Sequence, residues 1–327
     1  MQLTSDAVRG CIVAPPGRKL CVADLANIEG RGLAWLAGEA WKLKAFAAYD
    51  AGTGADLYKL AYARSFGVDV DSVDKAQRQV GKVQELGLGY EGGVAAFLTF
   101  AAVYGMDLDE LAAAVLASAD HDMLERAQGM LAWFKKKKRS THGLSERVWI
   151  ACEVLVLSWR EAHPATVALW AALAEAARGA IASPGQMFAA GRHLKLRRDA
   201  DWLRIRLPSG RYLCYLHPQV ADDGQISYTG VDQYTRQWKR IKTYGGKLAE
   251  NCTQAFARDV LAYNMPAIEA AGYAIVLSVH DELLTETPDT DDFTSDHLAA
   301  LMASPLLWAP GLPLAAAGFE AKRYHKG

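Results

Sequence analysis

The stretch IVLSVHDELLTET, residues 275–287, sets an imidazole and two carboxylates, His280, Asp281 and Glu282, between two apolar runs. A chain that needed only a β-hairpin would turn on Asn-Gly or Asp-Gly, so this turn invites a chemical reading. A further carboxylate, Asp24, closes the apolar run KLCVA at residues 19–23. If both strands lie in one antiparallel sheet, Asp24 and Asp281 meet at its rim, where they repel unless a cation neutralises them. Mg²⁺ suits such a pair, because it takes one or two carboxylates plus substrate phosphates. Taken singly, each aspartate has a plainer account: Asp24 can cap the helix that begins near Asn27, and Asp281 can be a turn residue. Neither accounts for His280 and Glu282.

A second constellation is cationic. In DSVDKAQRQVGKVQELGLGYEGG, residues 71–93, Asp71 or Asp74 can cap a helix and the glycines from Gly87 onward loosen its end. Lys75, Arg78 and Lys82 fall at i, i+3 and i+7, on one face. Such a column suits a polyphosphate, Arg supplying a fork and Lys a point charge. The competing reading is a solvated face paired with acids such as Glu85. No G-x-x-x-x-G-K-[ST] run occurs, so this is not a Walker loop.

The elements that must hold these groups follow from periodicity. KLCVA reads as a short buried strand with Asp24 at its end, and NIEGRGLAWLAG at 27–38 has helical spacing. From Glu39 to about Ile181 the chain reads as largely helical, with a loop at GVDVDSVD, residues 67–74. GRHLKLRRDADWLRIRLPSGRYLCYLHP, residues 191–218, switches to period two around the turn signal LPSGR, a hairpin or meander. An amphipathic helix at 245–272 leads into the opening stretch. This order predicts an α+β protein, a small antiparallel sheet interrupted by a long, mainly helical insertion. Two basic segments stand apart: KKKKR (Lys135–Arg139), a phosphate patch or a solvated helix end, and RDADWLRIRLPSGR (198–211), a nucleic-acid candidate beside Trp202 or a sheet edge blunted by charge.

Composition narrows the partners. The 327 residues allow two or three compact units. Lys and Arg number 36 against 37 Asp and Glu, so a nucleic-acid partner must be held by local patches. Five scattered cysteines with no C-x-x-C pair argue against a zinc module or disulfide framework and fit a reducing cytoplasm. No secretory leader pattern and no uncharged apolar stretch of spanning length is found, so a soluble intracellular protein with no membrane partner is expected.

In order along the chain, DLANIEGR (24–31), RQVGKVQELGLGY (78–90) and VHDELL (279–284) resemble the three polymerase motifs of family A DNA polymerases, the bacterial DNA polymerase I type. APPGRKLCVAD (14–24) and TQAFARD (253–259) are similar to further family segments, and the wording GKVQELGLGYEGG looks phage- or prophage-like. The resemblance implies a right-hand architecture of palm and fingers: palm at 1–40 and 246–327, fingers at 41–245. A thumb and a proofreading exonuclease are not expected in this chain, and a second chain is one expected source of them. It implies two Mg²⁺ ions held by Asp24, Asp281 and the Leu25 carbonyl, with Glu282 as an auxiliary acid. Arg78 and Lys82 would bind an incoming deoxynucleoside triphosphate, Lys82 also protonating the departing pyrophosphate. Glu29, packed near Tyr90, would exclude a ribose 2′-hydroxyl. Arg31, Gln254 and His280 would contact primer-template DNA. The implied activity is DNA-directed deoxynucleotide addition to a primer 3′ end. The alternatives are a weak or inactive DNA-binding subunit of a split polymerase and a phosphohydrolase using the same aspartates. Three positions depart from the family pattern: Leu86 replaces the ring that stacks on the nucleotide base, Glu91 replaces a glycine, and Asn251 lies one position off the family asparagine.

Overall fold

The computed structural model describes residues 7–325, which form two compact units. The first comprises the chain up to Gly32, the turn 207–211 and residues from Cys252 onward. Its sheet has four antiparallel strands in the order β10-β1-β9-β8, where β1 is Arg18–Leu25, β8 Ala274–Val279, β9 Glu282–Pro288 and β10 Ala316–Ala321. Leu20 and Val22 of β1, Leu284 of β9 and Tyr324 form a buried cluster on one face. Helix α11 (Ser295–Met302) packs on β1 and β10. Gly318 lets β10 lie close, for a Cβ there would sit 2.3 Å from the Val22 carbonyl oxygen. The residue 252–270 part of helix α10 (Gly245–Ala270) belongs to this unit, where Asn264 donates to the Met302 carbonyl at 2.9 Å.

The second unit is mainly helical: α2 (Ala40–Asp50), α3 (Leu57–Phe66), α4 (Lys75–Leu88), α5 (Val94–Val103), α6 (Leu108–Ser118), α7 (His121–Lys136), α8 (Glu146–Ala162) and α9 (Pro164–Ala182). Their starts follow local chemistry. Asp56, Asp107, Asp120 and Ser145 accept from first-turn N–H groups of α3, α6, α7 and α8, each cap worth about 1 kcal/mol. Asp74, not Asp71, caps α4, in a reciprocal box with Gln77. Helix α9 is apolar and 19 residues long, enough to match a membrane span by composition, yet Leu169, Trp170 and Leu173 are buried, as in a core helix.

Helix α9 lies across a second antiparallel sheet whose strands run in chain order: β2 (Met187–Ala190), β3 (Leu194–Asp199), β4 (Trp202–Arg206), β5 (Tyr212–Val220), β6 (Ile226–Val231) and β7 (Trp238–Thr243). The period-two segment is thus the middle of a larger sheet. The reading of residues 198–211 as a charged sheet edge is overturned, because β3 and β4 are interior strands with neighbours on both sides. KKKKR ends α7, with Arg139 over the Trp133 ring at 4.5 Å.

Helices α3 and α4 touch at Gly81, where a Cβ would fall 2.1 Å from the Tyr58 carbonyl oxygen. Gly81→Ala should therefore push the two helices apart and lower stability in chemical denaturation by about 1–3 kcal/mol. A variant as stable as the parent would refute this contact.

Candidate active site

The acidic site lies in the first unit. Central strand β1 pairs with β9 so that Asp24 faces Glu282 across the ladder, Val22 faces Leu284 and Leu20 faces Glu286. The Leu25 N–H donates to the Asp281 carbonyl at 3.1 Å, which ties the end of β1 to the β8–β9 turn. Side chains alternate along a strand, so Asp24 shares the face of Leu20 and Val22, and Glu282 that of Leu284. The turn itself is two residues, His280 and Asp281, between the paired Val279 and Glu282. His280 has φ 54, at a position where a hairpin of this length favours glycine. A non-glycine residue there costs on the order of 1 kcal/mol. It leaves an exposed imidazole beside a half-buried Asp281.

Electrostatics mark the spot as strained. Burial first, then the Asp281 charge, pushes Asp24 above the usual carboxylate range. Asp281 is raised by burial and then by Glu29, partly offset by its own backbone and by His280. Glu282 is raised by burial, opposed by the Tyr324 hydroxyl, which donates to its carboxylate, and raised further by Asp24 and Asp281. Four acids therefore crowd one rim. A cleft of about 380 Å³ opens there, lined by Asp24, Glu282, Val22, Ala23 and β10 residues 317–319. Among the described residues no group of three or more His, Cys, Asp or Glu forms a closed metal cage. A partial set of carboxylates fits a hard cation that completes its shell with water and phosphate. The Asp24 side chain makes no hydrogen bond to the start of α1 (Ile28–Ala37) among the described residues, so the helix-cap reading falls away.

Gln254, on α10, is exposed, as is Glu29 on α1. Arg31 is a correction. It is 2% exposed and its guanidinium donates to the Ala26 carbonyl at 2.7 Å and the Pro313 carbonyl at 3.2 Å. A group so enclosed holds loops together and cannot reach a DNA strand.

The cationic constellation lies in the second unit, on α4. Lys75 is exposed; Arg78 is half-exposed and donates to Asp56 at 2.8 Å; Lys82 lies 4.5 Å from the Tyr104 ring centroid. Leu86 is 39% exposed and Tyr90 is half-buried. Pairing of this column with Glu85 is overturned. Glu85 continues the same stripe, but the stripe passes from solvent into the core, where Glu85 meets Lys42, Trp159 Nε1 at 2.9 Å and His163 Nε2 at 3.0 Å. Burial alone would raise its carboxyl, yet the Lys42 and His163 charges hold it below the usual range. Sequence reading missed this anchor, because the partners come from α2 and α8 and from the residue just beyond α8.

Glu91 is a second such case. Its φ of 64 explains why glycine would suit the position. Its carboxylate accepts from the Gly246 N–H at 2.7 Å, at the start of α10. Gly246 has no room for a Cβ, which would fall 2.3 Å from the Tyr90 carbonyl oxygen.

No protein-family model matches the chain. It is 32% identical to a DNA polymerase of Bacillus phage SP02 over 98% of its own length and 43% of the relative. A DNA polymerase I of Chloroflexus aurantiacus is 37% identical over 28% of this chain and 9% of its own. The chain thus spans less than half the length of the curated relatives it matches. Among solved structures, the POL domain of Pol1 from M. smegmatis in complex with DNA primer-template and dNTP aligns with a TM-score of 0.52 at 18% identity. That alignment covers 97% of this chain and 42% of the other, and shows a shared fold. The resemblance drawn from the three motifs is borne out along most of the chain.

Between the ordinary carboxylate range and the raised one, the folded protein holds protons that the unfolded chain has released, so stability falls as pH rises through that window. Without divalent cations, Asp24→Asn should melt at a higher temperature than the parent at neutral pH. The gap should close once pH drops below the ordinary carboxylate range. Equal melting curves at neutral pH would disprove the mutual repulsion.

Proposed function

We propose that this chain, which shares the fold of a polymerase domain and is 32% identical to a phage DNA polymerase, is a palm-and-fingers unit that adds deoxynucleotides to a primer 3′ end on a DNA template. The observation that supports this most directly is the Leu25–Asp281 backbone bond, with Asp24 opposite Glu282, because it gathers the acids that phosphoryl transfer needs. Asp24, Asp281 and the Leu25 carbonyl would hold two Mg²⁺ ions, a role that relieves the raised carboxyls. When bound, such ions supply positive charge that favours ionisation of the primer hydroxyl and offsets charge on the phosphates.

The protein's own groups do the rest by position. Arg78 and Lys82 grip the triphosphate. Arg78 is held in place by Asp56, which shares its charge until phosphate competes for it. Lys82 supplies a proton as pyrophosphate leaves. Glu282, whose raised carboxyl is steadied by Tyr324, serves as an auxiliary acid. Glu29 crowds out a ribose 2′-hydroxyl, and exposed Gln254 and His280 meet primer and template. Leu86 in place of a ring gives the incoming base an aliphatic contact in place of a stack.

Primer extension with Mg²⁺ and four deoxynucleotides tests the reading. Extension by the parent, lost by several orders of magnitude in Asp281→Asn with DNA binding retained, is the expected result. Lys82→Ala should slow incorporation by about 10²–10⁴-fold. Binding without extension would favour a non-catalytic subunit, and primer-independent hydrolysis of nucleotide a phosphohydrolase. Glu29→Ala should admit ribonucleotides more readily, read as the ratio of ribo- to deoxynucleotide incorporation; an unchanged ratio rejects the sugar gate.

A further inference from the structure

The six-stranded sheet of the second unit packs one face against α9. Leu194, Leu196, Leu203 and Ile205 are buried beneath α9. Strand register determines what the other face carries. Lys195 lies opposite Arg206 and Arg197 opposite Arg204 on β3 and β4. Across β6 and β7, Arg240 faces Thr229 and Lys242 faces Ser227. Like charges directly opposite destabilise a sheet. One acid, Asp199, answers them, at 2.8 Å from Arg197 and 3.6 Å from Arg204. Lys195, Arg206 and Lys242 are exposed and have no acidic partner among the described residues. Charge protects an edge strand from pairing, which accounts for Lys242 on the edge strand β7 but not for Lys195 and Arg206, because β3 and β4 are interior.

The same face exposes rings. Trp202 is 38% exposed, Tyr212 52% and Trp238 62%. Trp202 precedes Arg204 by one alternation, Tyr212 faces Arg206, and Trp238 precedes Arg240 by one alternation. From β4 to β7 the face runs about 14 Å at the usual strand spacing, a platform on which successive bases can lie. Cations that track a backbone, interleaved with rings that stack bases, are what a single strand of nucleic acid requires.

We propose that the solvent face of this sheet binds single-stranded DNA, with Lys195, Arg206 and Lys242 on phosphates and Trp202, Tyr212 and Trp238 under bases. None of these residues belongs to the three motifs or to the acidic rim, and the proposal stands independently of catalysis.

The test is fluorescence anisotropy of a labelled oligothymidylate with the full chain across a salt series. Lys195→Ala/Arg206→Ala/Lys242→Ala should bind at least tenfold more weakly at low salt, and the slope of log affinity against log salt should become shallower by about two. Trp238→Ala should lose roughly tenfold with the slope unchanged. Removing opposed charges should not lower the melting temperature, which separates loss of binding from loss of fold. Parent-like affinity and slope in the triple variant would overturn the proposal. So would a blunt duplex that binds more tightly than the single strand and is weakened equally by Trp238→Ala.

Discussion

Everything at the acidic rim depends on the register between β1 and β9, closed by the Leu25 N–H bond to the Asp281 carbonyl. The side-chain period of a strand is two, so a slip of one residue would send Asp24 to the opposite face from Glu282. Apolar burial prevents that slip. Leu20, Val22 and Leu284 share one face with Tyr324, while Cys21 and Thr285 sit buried on the other, where the Thr285 hydroxyl donates to the Cys21 carbonyl at 2.8 Å. The core therefore decides where the carboxylates stand, and they pay for proximity with raised pKa values.

The second unit solves a different problem, how to hold one face of α4 toward solvent. Its solution is a buried charge near the helix end. Glu85, satisfied by Lys42, Trp159 and His163, fixes the rotation of the helix, and Gly81 fixes its depth against α3. With both set, Lys75 and Arg78 face outward. Burying an ion pair is seldom a net gain in stability over apolar packing, but breaking one is costly, which makes it an effective orienting device.

Much of this was legible in the chain, and the misses share a cause. The strand ending at Asp24, the Asp74 cap and the His280–Asp281 hairpin are local, and each announces itself through period or cap chemistry. Strand β10 does not. AAGFEA has little strand propensity, and it pairs because β1 has an edge left open beside a glycine that admits close approach. Strands β6 and β7 escaped for a similar reason: their extended form depends on pairing, β6 with β5 and β7 with β6. Arg31 was placed at DNA by resemblance and Glu85 on a solvated face by residue type, whereas their burial depends on residues 282 and 78 positions away in sequence, Pro313 and His163.

By itself, the sequence determined which groups were available for chemistry: three motifs in order, two aspartates at strand ends and a cation column with helical spacing. Those are short-range properties, set by side-chain type and by the periods of helix and strand. Only the tertiary structure decided which of them face each other and which are enclosed. It placed Asp24 against Glu282, buried Arg31 and Glu85, and turned a basic hairpin into the interior of a broad cationic sheet face. Burial and cross-strand register are sums over distant segments, so no local window of sequence contains them.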